Sequence, residues 1–176
     1  MRSDASGVYY LYMRKAARAI VVHNQNILLM KRNKFGSIYY CLPGGGIDIG
    51  ETADAAAVRE IKEETNLIVT NPQLVYIEDA GVPYGIQYIF VCQYQDGDMK
   101  LQPDSIEAKL NEMGQNLFEP LWVPVSKFAG LPFRSKALQQ ELLVALRDGF
   151  PKEPKQIQSQ AEISYTDVNN KEEEED

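Results

Sequence analysis

Two apolar runs rich in β-branched and aliphatic residues open the readable pattern. Ala16–Val22 (AARAIVV) and Ile27–Arg32 (ILLMKR) flank the polar tetrapeptide His23-Asn24-Gln25-Asn26. Two such runs around a short polar turn predict a β-hairpin. Tyr39–Leu42 predicts a short strand, ended by Pro43 and three glycines, residues that break a ladder and permit a tight turn. From Thr52 to Thr65 the chain is dominated by Ala, Arg, Glu and Lys, all good helix formers. Thr52 stands at the N-cap of that helix. Asn66 follows where a left-handed C-terminal residue is wanted, a place Asn fills in lieu of Gly. Leu67–Glu78, Ile86–Tyr94 and Leu121–Val125 read as further strands, and Lys136–Leu146 as a second helix.

From Pro151 onward the pattern dissolves into Pro, Gln, Ser and acids, ending in KEEEED. That composition predicts a disordered acidic tail over residues 151–176, behind a domain of residues 1–150. On this reading the tail is dispensable for activity. A chain of 176 residues with 44% hydrophobic content has material for one domain with a real core. No run of about 18 apolar residues is present to span a membrane. The N-terminal apolar stretch is broken by Arg14 and Lys15 and does not read as a signal peptide. Cys41 and Cys92 form no CxxC pair and read as buried thiols of a reducing, cytoplasmic compartment.

Charge is unevenly spread. Eight acids and three lysines fall in residues 151–176, a net of −5 out of the total of −7, leaving −2 for the body. From Ala5 to Ile47 there is no acid, while Arg14, Lys15, Arg18, Lys31, Arg32 and Lys34 are present. A basic segment thus leads into an acidic helix, an arrangement suited to an anionic ligand held together with metal ions. The slightly acidic body lacks a basic–aromatic platform, which argues against nucleic acid as the main partner.

The helix itself poses a problem of repulsion. At about 100° per residue, Glu60, Glu63 and Glu64 share one arc, beside Ala53, Ala57 and Ile61, which are placed to bury against a sheet. Like charges four apart cost about 0.2–0.5 kcal/mol. Arg59 can pair with Glu63 but cannot neutralise all three. A hard divalent cation can, since Mg²⁺ takes oxygen ligands and commonly shares its shell with substrate phosphates. Taken alone, EIKEE reads first as an ordinary Glu/Lys-rich surface helix.

The wider spacing favours the metal. Gly45, Glu51, Arg59-Glu60, Ile61, Glu63-Glu64 and Leu67 follow G-x5-E-x7-R-E-U-x-E-E-x-G-U, with U aliphatic. The stretch resembles the Nudix box, with one departure: Asn66 stands where the family has Gly, and Asn tolerates the left-handed conformation. Leu42-Pro43-Gly44-Gly45-Gly46 resembles the usual lead-in, and Asn116-x-Phe118-x-Pro120-x-Trp122-Val123 a common downstream strand. The resemblance spans Arg18 to about Leu146. It implies an α/β fold, an α/β/α sandwich with a mixed β-sheet, and hydrolysis of a nucleoside diphosphate linked to a further group. It implies Mg²⁺, or Mn²⁺ in its place, on Glu60, Glu64 and Glu63, with the backbone carbonyl of Gly45 as a further ligand. Arg59 would orient the glutamates and Glu51 would support the loop.

Attack of water on a diphosphate also needs a proton acceptor. Glu64, Glu63 and the loop residues Glu107 and Glu112 are the candidates; His23, the only histidine, reads as structural. Arg32 and Asn116 are the candidate substrate contacts: Arg32 resembles a phosphate-binding position of the family and reads equally as a solvated strand charge, and Asn116 suits a purine edge or simply begins a strand. Phe35, Tyr88, Phe90 and Phe118 read as core first and as base-stacking surfaces second. Pro83 and Tyr84, 16 and 17 residues past Leu67, match placings associated with ADP-ribose hydrolases and diadenosine polyphosphate hydrolases respectively, and so point two ways. The chain's brevity tips the expectation to a nucleoside triphosphate, including oxidised purine forms. ADP-ribose, nucleotide sugars and dinucleoside polyphosphates remain open, as do a non-catalytic nucleotide-binding module and a homodimer.

Overall fold

The structure, a computed structural model, describes residues 14–114 and 116–159. Strands β1 (Lys15–His23) and β2 (Asn26–Lys34) form the expected hairpin. Its two turn residues, Asn24 and Gln25, both have positive φ, 47° and 60°. Such a turn matches the right-handed twist of the flanking strands. The hairpin strands stay paired only at Val22↔Ile27 and His23↔Asn26, then diverge. Strand β2 continues against β3 (Ser37–Cys41) and β7 (Asn116–Pro124), both antiparallel. Strand β1 continues parallel to β6 (Ile86–Asp96), which lies antiparallel to β5 (Ile68–Asp79). The glycines form a short strand, β4 (Gly44–Gly46), antiparallel to β1 with Gly44 opposite Arg18. The chain therefore crosses the gap between the diverging strands at Leu42-Pro43 and is caught on β1.

Helices α1 (Ala53–Thr65), α2 (Ile106–Glu112), α3 (Val125–Phe128) and α4 (Lys136–Asp148) complete the body. Alternation along β1 sets the layers. Ala17, Ala19 and Val21 pack with Ala56, Ala57 and Ile61 of α1. Ile20 points the other way, into a cluster with Leu138, Leu142 and Ala145 of α4. The result is the expected α/β/α arrangement around a mixed sheet. Alanines at 17 and 19 leave room for α1 to lie close, which fixes its glutamates near β4. Asn66 ends α1 in the left-handed conformation at φ 61°, as expected, and Thr52 caps by position without a side-chain bond.

Several expectations are corrected. Residues 151–159 are not a loose tail: Lys155–Gln158 form β8, parallel to Tyr76–Asp79 of β5. Ile157 is buried in the α4-side core and Ser159 is buried behind it. One apolar residue in a polar segment gives no periodic signal, so the strand was invisible to composition. The expected tail from Gln160 onward, like the N-terminal segment before Arg14, lies outside the described residues. Glu107 and Glu112 belong to helix α2, capped by Ser105, and not to a loop. Ala53 packs against the α1-side core as expected but only half-buried, and Ala56, not expected there, is fully buried beside Ala57. Phe35 is exposed at a positive-φ turn position and is not core. Cys41 and Cys92 are unpaired thiols, but only Cys92 is buried; Cys41 is half-buried.

Candidate active site

The glutamates of α1 differ sharply in environment. Glu64 is 4% exposed, and its Oε2 accepts a hydrogen bond from the Gly44 backbone N–H at 2.7 Å. Burial pushes its carboxyl up to about 8, against the pull of Arg18 and with a push from Glu107. Glu60 is also raised by burial, with Arg59 opposing. Its carboxylate lies against Gly45: a Cβ built there would meet Glu60 Oε1 at 2.5 Å. Glu63 stands at the exposed rim. Sequence spacing placed the three on one arc, and they do share it. Depth within the fold, which spacing does not report, separates them.

Arg59 ties the helix to the glycine loop. Its Nε and Nη2 donate to Glu51 at 2.8 and 2.9 Å, Nη2 also to the Gly46 carbonyl, and Nη1 to Glu60 and Glu63 at 2.9 and 3.2 Å. Glu51 is lowered chiefly by its hydrogen bond with Arg59. Arg59 thus contacts Glu51, Glu60, Glu63 and the Gly46 carbonyl at once, and Glu51 is tied to the loop through it and through the Asp48 N–H. No hydrogen bond or salt bridge links Arg59 to Glu64. Among the described residues, no three His, Cys, Asp or Glu side chains converge as a ready-made cage. The donor set nevertheless suits a hard divalent ion: the buried Glu64 and the half-buried Glu60, both raised by desolvation, with Arg59 on Glu60. The Gly45 carbonyl belongs to the same loop.

Gly45→Ala separates site from scaffold. The clash is with the mobile end of one side chain, and Gly45 has no positive φ. Stability should therefore change by less than about 1 kcal/mol, while kcat falls about tenfold or more as Glu60 is displaced. Thermal melting and steady-state kinetics on the same sample check both halves.

Beyond the loop lies a cavity of about 290 Å³, lined by Arg18, Arg32, Tyr39, Tyr84, Glu78 and Arg134 among others. Arg18 connects it to the glutamates, donating from Nη1 to the Gly44 carbonyl and from Nε to Gln87 Oε1 at 3.0 Å. Arg32 stacks on Phe118 at 3.5 Å and donates to Asn116 Oδ1 at 2.6 Å, while its buried Nε has no partner. The two residues expected to touch substrate thus touch each other, and of the pair only Arg32 lines the cavity. Arg134 stacks on Tyr39 at 3.9 Å and donates to the Tyr84 hydroxyl. Arg134 and Glu78 escaped the sequence reading, and Arg18 entered it only as one charge of the basic segment. Arg18 had a signal, the lone charge within AARAIVV; the others had none. His23 packs against Tyr94 at 4.3 Å and Trp122 at 6.1 Å, which agrees with a structural role. Phe90 is core, as expected.

A family model for the NUDIX domain matches residues 13–146. The chain belongs to the Nudix family. Among its relatives, an ADP-ribose pyrophosphatase of Methanocaldococcus jannaschii is 37% identical over 110 residues, covering 59% of this chain and 64% of the relative. An NAD-capped RNA hydrolase NudC of Pseudomonas putida is 29% identical over 134 residues, covering 75% and 45%. The chain thus spans less than two thirds of the length of either. A Nudix hydrolase from Nitrosomonas europaea superposes with a TM-score of 0.64 at 19% identity, over 86% of this chain and 82% of its own. An ADP-ribose pyrophosphatase from Streptococcus suis gives 0.57 at 21%, over 83% and 98%. These likenesses confirm the Nudix fold. No helix among the described residues is long and apolar enough to cross a membrane.

Proposed function

We propose that this chain hydrolyses the diphosphate linkage of a nucleoside diphosphate derivative, using Mg²⁺ or Mn²⁺ held by Glu60, Glu64, Glu63 and the Gly45 carbonyl. The observation that carries this is the buried carboxylate of Glu64, with the half-buried Glu60 on the same helix, tied through Gly44 and Arg18 to an arginine-lined cavity. A divalent ion supplies Lewis acidity and a more acidic water. The chain's own residues do the rest. The Gly44 N–H fixes the Glu64 carboxylate, and Arg59 holds Glu60 and Glu63 in register with the loop. Arg18, Arg32 and Arg134 offer positive charge to the phosphates. Glu107 acts on both Glu60 and Glu64 electrostatically, which supports it, beside Glu63 and Glu64, as a candidate proton acceptor; Glu112 is exposed at the far end of α2.

For the substrate class, likeness to the Methanocaldococcus jannaschii ADP-ribose pyrophosphatase supports an ADP-ribose-type sugar nucleotide ahead of the nucleoside triphosphates. The cavity agrees, being at the low end for ligand pockets and sized for one nucleoside-like half of such a molecule. The test is product release with Mg²⁺ from ADP-ribose, nucleotide sugars, dinucleoside polyphosphates and nucleoside triphosphates. We expect turnover of the sugar-nucleotide class, falling at least about a hundredfold in EDTA and returning with Mg²⁺. Binding without turnover of any of them would instead identify a nucleotide-binding module.

A further inference from the structure

Glu78, at the end of β5, is a carboxylate only 4% exposed on the wall of the cavity. Both of its protein hydrogen bonds go to one oxygen. Ser135 Oγ and Ser159 Oγ donate to Oε1, the latter at 2.6 Å. Among the described residues no hydrogen bond reaches Oε2. A carboxylate oxygen accepts two hydrogen bonds, so Oε2 keeps its capacity for donors that enter the cavity Glu78 lines. No cation neutralises it either: the salt bridges of the described residues do not include Glu78, and the guanidinium groups of Arg18 and Arg134 are bonded to Gln87, Gly44 and Tyr84. The serine that clamps it from one side is the N-cap of α4, whose Oγ also accepts from Leu138 N–H. The other serine follows β8. Three distant parts of the chain therefore converge to hold one carboxylate with one face unsatisfied toward an open cavity.

We propose that Glu78 Oε2 is the reading group of a subsite for two adjacent hydrogen-bond donors on the substrate. That chemistry is supplied by the vicinal hydroxyls of a ribose or by the N–H edge of a guanine. The subsite rests on the reading that the site takes a nucleotide, and it adds which part of the nucleotide the protein recognises. The arginines around the cavity meet the phosphates, while Glu78 repels phosphate and accepts only donors. This fixes the ligand's direction: donor-bearing group inward at Glu78, anhydride outward toward Glu60 and Glu64.

The experiment is calorimetric titration with Mg²⁺ of AMP against 2′-deoxy-AMP, and of GMP against IMP, on wild type and Glu78→Gln. None of these monophosphates contains an anhydride, so the result does not depend on turnover. In wild type one pair should differ by about tenfold or more, the size of one charge-assisted hydrogen bond. The AMP pair differing identifies the ribose hydroxyls; the GMP pair identifies the base. Glu78→Gln, with a thermal midpoint close to wild type, should shrink that difference to about threefold or less. Equal affinities within both pairs, no binding at all, or an undiminished preference in Glu78→Gln overturns the subsite. If Glu78→Gln does not fold, the wild-type comparison alone decides. Hydrolysis without either preference would refute the subsite and leave the hydrolase standing; a preference without hydrolysis would do the reverse.

Discussion

Glu64→Gln lowers kcat by on the order of 10²–10⁴-fold and leaves the protein folded. The amide keeps an oxygen for the Gly44 N–H, so the 2.7 Å bond that docks α1 on the glycine loop survives. Only the charge is lost. Burial already opposes that charge, so metal-free Glu64→Gln should melt no lower than metal-free wild type. Added Mg²⁺ should raise the melting temperature of wild type and raise that of the variant much less, because binding to the folded state alone stabilises it. Kinetics and melting with and without Mg²⁺ check each arm. A kcat within about tenfold of wild type would remove Glu64 from the chemistry.

Gly44→Ala destabilises the fold by about 3 kcal/mol or more, in contrast to the mild effect on stability of the same change one residue later. Gly44 sits at φ 135°, where a side chain is strained. A Cβ there would lie 2.1 Å from the Ala17 carbonyl oxygen and 2.9 Å from Arg18 Cα. These are backbone atoms of the central strand and cannot swing aside. Strain and overpacking each cost about 1–3 kcal/mol, and the N–H that holds Glu64 moves with the loop. Chemical denaturation measures the loss. A variant within about 1 kcal/mol of wild type would mean that β4 is looser on β1 than its pairing indicates.

The two neighbouring glycines show how far the sequence could be read. GGG announced a turn and a close approach, and spacing tied it to the glutamate helix. Which glycine serves the fold and which serves Glu60 depends on the φ of each and on what crosses its Cα, quantities that exist only once β4 lies on β1. The helix was legible because its apolar face and its chain ends carry local signals: Ile61, Ala57 and the left-handed Asn66. The glutamates' depth was not, since Glu60 and Glu64 look alike until β4 covers one. Arg32 and Asn116 were singled out separately, and pairing of β2 with β7 brings them to 2.6 Å. The cavity wall was least legible. Arg18, Glu78, Arg134 and Ser159 come from four elements or their ends, and apart from the lone charge of Arg18 within AARAIVV nothing in any one segment marks them.

Strand β8 has a consequence for solubility. It is four residues long and carries Lys155, and it covers the final stretch of a twelve-residue strand, Tyr76–Asp79 of β5. A short, charged border strand is a poor template for another molecule's backbone, whereas a bare stretch of β5 would present an open row of N–H and C=O groups. A chain ending at Phe150 loses Ile157 from the core and uncovers that row. It should therefore self-associate through β5, where one ending after Gln160 does not. The polar segment that reads as an appendage is what keeps the sheet from recruiting its neighbours.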